Sequence, residues 1–381
     1  MSSAVLIRPV VVGAWAALLF LPFAGLKAAA VMFVCVTAAM LLLLAARKIE
    51  IPVSLKSLSA NTLRTVLSAG AYGLPALVIL CFILPLVVKD YYLDVLIMSG
   101  IYILLALGLN VIVGFTGLLN LGFAAYYAIG AYTYALLNTK LGLGFWPALP
   151  FSALLASVAG VLLAIPALRL RGDYLAIVTL GFGEIVRLVL NNWDSFTNGP
   201  NGISGIAAPS LGTFSLGTLK YFYYLVLAFV LPAIIIIRRV ENSRIGRAWV
   251  AIRENEIAAS SMGIDATRYK LYAFAFGTFW AGLAGALFAA KMRFISPESF
   301  TFMESVLILS MVILGGIGNV YGAVAGAFLL VLLPEVLRGV QLYRMLILGM
   351  GLVLLMIFRP QGLLGKTLKK AKEDNSAPAG R

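Results

Sequence analysis

Long apolar runs separated by short polar breaks make up most of this chain. Runs at 10–26, 28–46, 71–88, 93–113, 117–137, 146–168, 173–190, 221–237, 271–290, 304–316, 321–337 and 345–358 each predict a membrane-spanning helix. A span needs about 20 apolar residues in a helix, whereas a membrane barrel would show alternating segments of about ten. Lipid leaves no partner for open backbone, so continuous runs must close their hydrogen bonds as helices. The two short runs within 304–337 also fit one hairpin of broken helices. The predicted fold class is therefore all-α, a polytopic transmembrane helix bundle of about 11–12 spans.

Composition agrees with that pattern. The 381 residues are 62% hydrophobic and 12% charged, where a soluble domain would carry about a quarter charged. The net charge of +14 would raise nucleic acid as a partner of a soluble protein. In a membrane chain it marks loops on the cytoplasmic side, and nucleic acid is set aside. With the N-terminus inside, twenty Lys and Arg fall on the inner side and eight on the outer, with Arg187 within a span. That bias predicts cytoplasmic N- and C-termini. The chain has no His, and its two cysteines, Cys35 and Cys81, stand apart in apolar runs, so no metal site and no disulfide is expected. Lys27 leads straight into a second apolar run, which does not fit a cleaved signal.

Two loops stand out. An external loop, 191–220, is rich in Gly, Asn and Ser and predicts a turn-dense cap. An inner loop, 238–270, holds most of the polar residues of the second half. The tail 366–381 is a basic, solvated run expected to be disordered. The "GKT" at Gly365–Thr367 is not a phosphate-binding loop, because a span precedes it and too little chain follows for a nucleotide-binding domain. No nucleotide or other cofactor is expected on this chain.

A weak internal echo links "GFTGLLNLGFAAYYAIGAY" with "GGIGNVYGAVAGAF". Both set Gly clusters and an Asn at a span boundary, followed by small residues such as Gly122, Ala125 and Gly130, or Gly322 and Gly326. Small residues permit close helix packing, and that reading is preferred for them. Thr116, Asn120 and Asn319 sit beside helix-breaking Gly and are candidates for the substrate path, where half-helix ends offer backbone dipoles. Glu184 is a further candidate, since an ionisable group within a span is a functional position by default. Arg187, one turn on, can neutralise it. Asp173, Glu304, Glu335 and Arg338 fall near span ends, where side chains can snorkel. So few mid-span carboxylates argue against a proton-driven carrier, and the lack of clustered His, Cys or paired carboxylates argues against a membrane enzyme.

The inner loop reads "RRVENSRIGRAWVAIRENEIAASSMGIDATRYK". Asn242 or Ser243 fits a helix N-cap and Gly263 a C-terminal stop. A helix over 248–264 would put Ala248, Ala251, Ile252, Ala259 and Met262 on one face, with Val250, Ile257 and Ile264 nearly opposite. One apolar stripe would lie on the protein itself, and the second would meet either the membrane interface, as an ordinary loop helix, or a partner. Arg253, Glu254 and Glu256 edge that region, and Ala258 is small enough for close approach.

Here the residues resemble a known family. "GRAWVAIRENEIAASSMGID" is similar to the E-A-A loop of bacterial ABC importer permeases, with Glu256, Ala258, Ala259 and Gly263 on the pattern. "GLNVIVGFTGLLNLGFAAYYAIGAYTYALL", "LRGDYLAIVTLGFGEIVRLVLNNWDSFTNGPNGISGI", "VILGGIGNVYGAVAGA" and "FRPQGLLG" resemble the M-type permease subunit of high-affinity branched-chain amino acid importers. The resemblance divides the chain into an N-terminal extension at 1–92 with about three spans, a permease core at 93–365 and the tail. It implies that 238–270 couples to ATPases through Arg253, Glu254, Glu256, Ala258, Ala259 and Gly263. It also implies a second, H-type permease subunit, two cytoplasmic ATP-binding subunits that use the ATP, and a periplasmic amino-acid-binding protein, at the bacterial inner membrane. Leucine, isoleucine and valine are the implied substrates; relatives carrying urea, amides or other amino acids, and an autonomous secondary carrier, are the rival expectations.

Overall fold

A computed structural model describes residues 90–336 apart from 169, 171, 212 and 213, together with 82, 85, 349, 350, 353, 362 and 363. The expected spans before residue 90 and at 345–358, and the tail, lie largely or wholly outside the described residues. Contacts divide the chain into Met1–Cys81 and Phe82–Arg381, and every described residue is in the second unit.

The described helices are α1 (Asp90–Leu109), α2 (Phe123–Leu141), α3 (Phe145–Ala167), α4 (Asp173–Asn192), the single turn α5 (Asp194–Thr197), α6 (Leu219–Glu241), α7 (Arg244–Glu254), α8 (Glu256–Ser261), α9 (Ala266–Met292), α10 (Phe302–Gly315) and α11 (Val320–Val336). Among the described residues, five segments are long and apolar enough to cross a membrane: Asp90–Phe115, Phe145–Ala167, Leu219–Glu241, Ala266–Met292 and Pro297–Gly315. The all-α expectation holds. The four strands among the described residues are two residues each, pairing Ile203–Ser204 with Phe294–Ile295 and Ser210–Leu211 with Phe214–Ser215.

Beyond its first turns, helix α1 is apolar on every side, as a helix inside a bundle must be. Leu93, Ile97, Ile101, Leu104 and Leu105 are sealed from solvent. Helix α9 packs beside it through glycines. A methyl on Gly277 would strike the Gly108 carbonyl oxygen, and one on Gly282 the Ser152 carbonyl and Ala153 of α3. Gly130 of α2 faces the backbone of Gly282, and Gly322 and Gly326 of α11 lie against Gly315 of α10. The small residues of the echo thus serve close packing, as preferred above.

The run at 117–137 does not begin as a helix where expected. Helix α1 continues as a wider π-helical stretch, Asn110–Phe115, and the chain then runs irregularly to Gly122 before α2 starts. Gly117, at φ +72°, takes a left-handed conformation there that suits Gly. The run at 304–337 is the helical hairpin considered above, α10 and α11 joined through Gly316–Asn319.

The external loop is tied to α2 and α3. Tyr134 Oη donates to the Ala207 carbonyl at 2.8 Å, the Ala207 N–H donates to Asn138 Oδ1 at 2.7 Å, and Trp146 Nε1 donates to Ser210 O at 3.0 Å.

Candidate functional site

The inner loop is built from the bundle outward. Ser243 caps α7, its Oγ accepting from Gly246 N. Trp249 anchors that helix. It is 1% exposed, stacks on Phe115 at 6.3 Å, and donates from Nε1 to Tyr269 O at 2.7 Å. The sequence reading passed over Trp249, although a tryptophan in so polar a segment is itself a signal, being large, apolar and able to place one donor.

The single helix expected over 248–264 is two. At Asn255 the backbone is extended, and its side chain accepts from Ile257 N and Ala258 N at 3.0 Å, starting α8. Asn is a preferred N-cap, and here that preference overrides helical continuity. The break resets the phase of the second half. Ala259 still points inward, but Met262, expected beside it, is 84% exposed. Ile264, expected outward, packs with Ile252, Ala259 and Ala266. Gly263 ends α8 at φ +84°, with Ile264 N reaching back to Ala259 O at 3.1 Å, so the expected C-terminal stop is present.

The charged residues separate by role. Glu256 accepts from Lys270 Nζ at 2.7 Å, with the Lys270 side chain 6% exposed, and so pins α8 to α9. Glu254 is exposed and takes one Arg253 nitrogen at 2.9 Å. The other Arg253 nitrogen, Nη1, donates to Gly114 O at 2.7 Å. Ala258 is exposed beside Ile257.

Arg253 thus reaches the π-helical end of α1. Gly318, from the α10–α11 turn, lies at the same place, because its N–H donates to Asn110 Oδ1 at 2.9 Å. A methyl on Gly318 would meet Arg253 Nη1, and one on Gly117 the Arg253 Cγ. The two Gly clusters of the echo are therefore joined by Asn110 and covered by Arg253. Asn110 was not singled out from sequence; its signal is a lone polar residue inside an apolar run.

The four substrate-path candidates do not form one group. Thr116 Oγ1 donates to Ile112 O at 2.6 Å and closes the π-helical stretch. Asn319 Oδ1 accepts from Tyr321 N and Gly322 N and caps α11. Asn120 Oδ1 accepts from Gly122 N, while its buried Nδ2 has no partner among the described residues. Glu184 pairs with Arg187 at 2.9 Å, as the i, i+3 spacing suggested. It lines a crevice between α2, α4 and α10 with Leu121, Ala124, Leu180, Phe302 and Ser305. Glu304, expected to snorkel from a span end, instead has its Oε1 sealed inside the bundle.

The model of the branched-chain amino acid transport system permease component matches residues 91–357. The high-affinity branched-chain amino acid transport system permease protein LivM of Escherichia coli K12 is 49% identical over 330 residues, covering 81% of this chain and 78% of its own. The probable branched-chain amino acid transport permease LivM of Methanocaldococcus jannaschii is 25% identical, covering 71% of this chain and 92% of its own. The LivH permease protein of Salmonella typhimurium is 26% identical with the same two coverages. No solved structure matches. The match spans the packed core and both Gly-rich breaks, and this chain belongs to the family of branched-chain amino acid transport system permease components, which are integral membrane transport proteins and not enzymes.

Proposed function

We propose that this chain is the M-type permease subunit of an ATP-driven importer that carries leucine, isoleucine and valine across the inner membrane. The observation that carries the reading is the 49% identity with a LivM permease over four-fifths of the chain. Its partners are an H-type permease subunit, two cytoplasmic ATP-binding subunits and a periplasmic amino-acid-binding protein. ATP is used by those ATPase subunits. Both termini lie in the cytoplasm; 1–92 is an N-terminal extension, 93–365 the permease core, and 366–381 the tail.

Coupling runs through the inner loop. Exposed Ile257 and Met262, at 69% and 84%, flank Ala258 and give the ATPase an apolar face with little steric bulk. Glu256 and Ala259 hold that face against the bundle, Gly263 ends it, and Glu254 offers an exposed charge beside it. Arg253 carries movement of the loop to both Gly breaks, and the bundle alternates between two packed arrangements. Thr116, Asn120, Glu184 and Asn319 border the substrate path as its shaping and capping residues.

The test is reconstitution. The four kinds of subunit in liposomes take up leucine when ATP is inside and the loaded binding protein outside. The permease alone under an ion gradient takes up none; uptake by it alone would overturn the importer reading. Binding-protein profiling against urea and amides checks the substrate class.

A further inference from the structure

We propose that Glu304 is the counter-ion for the ammonium group of the substrate as it passes through the bundle. This rests on the amino-acid importer reading above.

Glu184 stands mid-way along α4, and Glu304 in the first turn of α10, within the apolar segment Pro297–Gly315. Glu184 is already neutralised by Arg187 at 2.9 Å. Glu304 has no cation within ion-pair distance among the described residues, and its Oε1 is sealed from solvent with no hydrogen-bond partner. A carboxylate in the hydrocarbon layer without a partner is costly and calls for one. Tyr102 is the neighbour that lies beside the Glu304 carboxyl group. Tyr102 lies close to the midpoint of the 26-residue apolar segment Asp90–Phe115, so the carboxyl group beside it stands well inside that segment's length.

The surroundings fit a zwitterion with an apolar side chain. Tyr127 lies near enough to act electrostatically on Glu304 and Tyr102, and its own hydroxyl is buried without a partner. Phe300 packs edge-on against Tyr127 at 5.0 Å, and Phe288 lies at 5.3 Å from the same ring. Aromatic faces beside a carboxylate attract an organic ammonium, and a phenol hydroxyl can donate to the accompanying carboxylate. Seven buried side-chain polar atoms among the described residues lack a partner; the Glu304 oxygen is the one carboxylate among them, and the neighbouring Tyr127 phenol shares the lack, so the two offer an acceptor and a donor side by side.

The experiment uses the complete importer in liposomes. Glu304→Gln keeps the size of the side chain and removes the charge; leucine uptake is expected to fall about tenfold or more, with Glu304→Asp retaining more uptake than Gln. A second measurement needs no variant: labelling of Glu304 by a hydrophobic carbodiimide, read by peptide mass. Saturating leucine is expected to slow it, and 4-methylpentanoate, which lacks the ammonium, is not. Wild-type importer that takes up no leucine would sink the amino-acid reading. Wild-type uptake matched by Glu304→Gln, or labelling unaffected by leucine, would overturn the Glu304 assignment while leaving that reading intact. If the Gln variant does not assemble, the labelling decides.

Discussion

At the scale of single residues, Glu256 shows what spacing can and cannot reveal. Its place in the E-A-A pattern was legible, but its partner was not, because Lys270 lies fourteen residues away on another helix. The Lys270 side chain is 6% exposed, so removing Glu256 strands a buried ammonium. Breaking a buried pair one-sidedly costs several kcal/mol, about 3–5, and Glu256's own one-third exposure lowers that figure. Glu256→Gln is therefore expected to loosen the loop markedly. The double variant Glu256→Gln with Lys270→Met removes both charges and should restore much of the loss. Limited proteolysis between residues 253 and 265 reads this directly. A double variant cut as fast as the single one would refute the pair's role. Gly263 makes a separate point. A methyl there meets nothing within 4 Å, so only the left-handed backbone at φ +84° demands glycine. Gly263→Ala should weaken the end of α8 by about 1–2 kcal/mol without any clash. Reduced ATPase retention in pull-down with normal membrane insertion is the expected result.

Elements were legible to different degrees. Helices α3, α4, α6 and α9 fall where the apolar runs put them, because periodicity and length decide such segments. The loop helix was misjudged at one residue. Asn255 carries the competing signal: a side chain that accepts from Ile257 N and Ala258 N can begin a new helix inside an old one. The consequence bears on the face proposed for the ATPase, since it turns Met262 out and Ile264 in. Asn255→Ala removes the cap at a cost of about 1 kcal/mol. A loss of that size raises the open population of a local unit about fivefold. Faster hydrogen exchange at the amides of Ile257 and Ala258 is expected, while those of α7 hold through the Trp249 anchor. Equal acceleration along both helices would mean that they behave as one element after all.

At the scale of the molecule, the decisive contacts join segments far apart in sequence, and that is why they were not readable. The echo between the two Gly clusters was visible as a pattern. Their meeting through Asn110 and Gly318, 208 positions apart, was not. Nor was the bond from Arg253 to Gly114 across 139 positions. That bond links the loop face proposed for the ATPase to the place where α1 loses its regular winding, and π-helical stretches of this kind often mark functional positions. A hydrogen bond from a charged group is worth about 1.5–3 kcal/mol. If it forms in one packed arrangement and not the other, its loss shifts their ratio by roughly 10- to 150-fold. Arg253→Gln should therefore leave the ATPases bound through the exposed Ile257 and Met262 face, yet disconnect hydrolysis from movement of the bundle. The number of leucine molecules taken up per ATP hydrolysed should fall several-fold. Arg253→Lys keeps the charge but loses the forked donors, so it cannot reach Gly114 and Glu254 together, and should lie between. A Gln variant that moves as much leucine per ATP as the wild type would show that the loop transmits its movement elsewhere, with Trp249 stacked on Phe115 as the remaining route into the same helix.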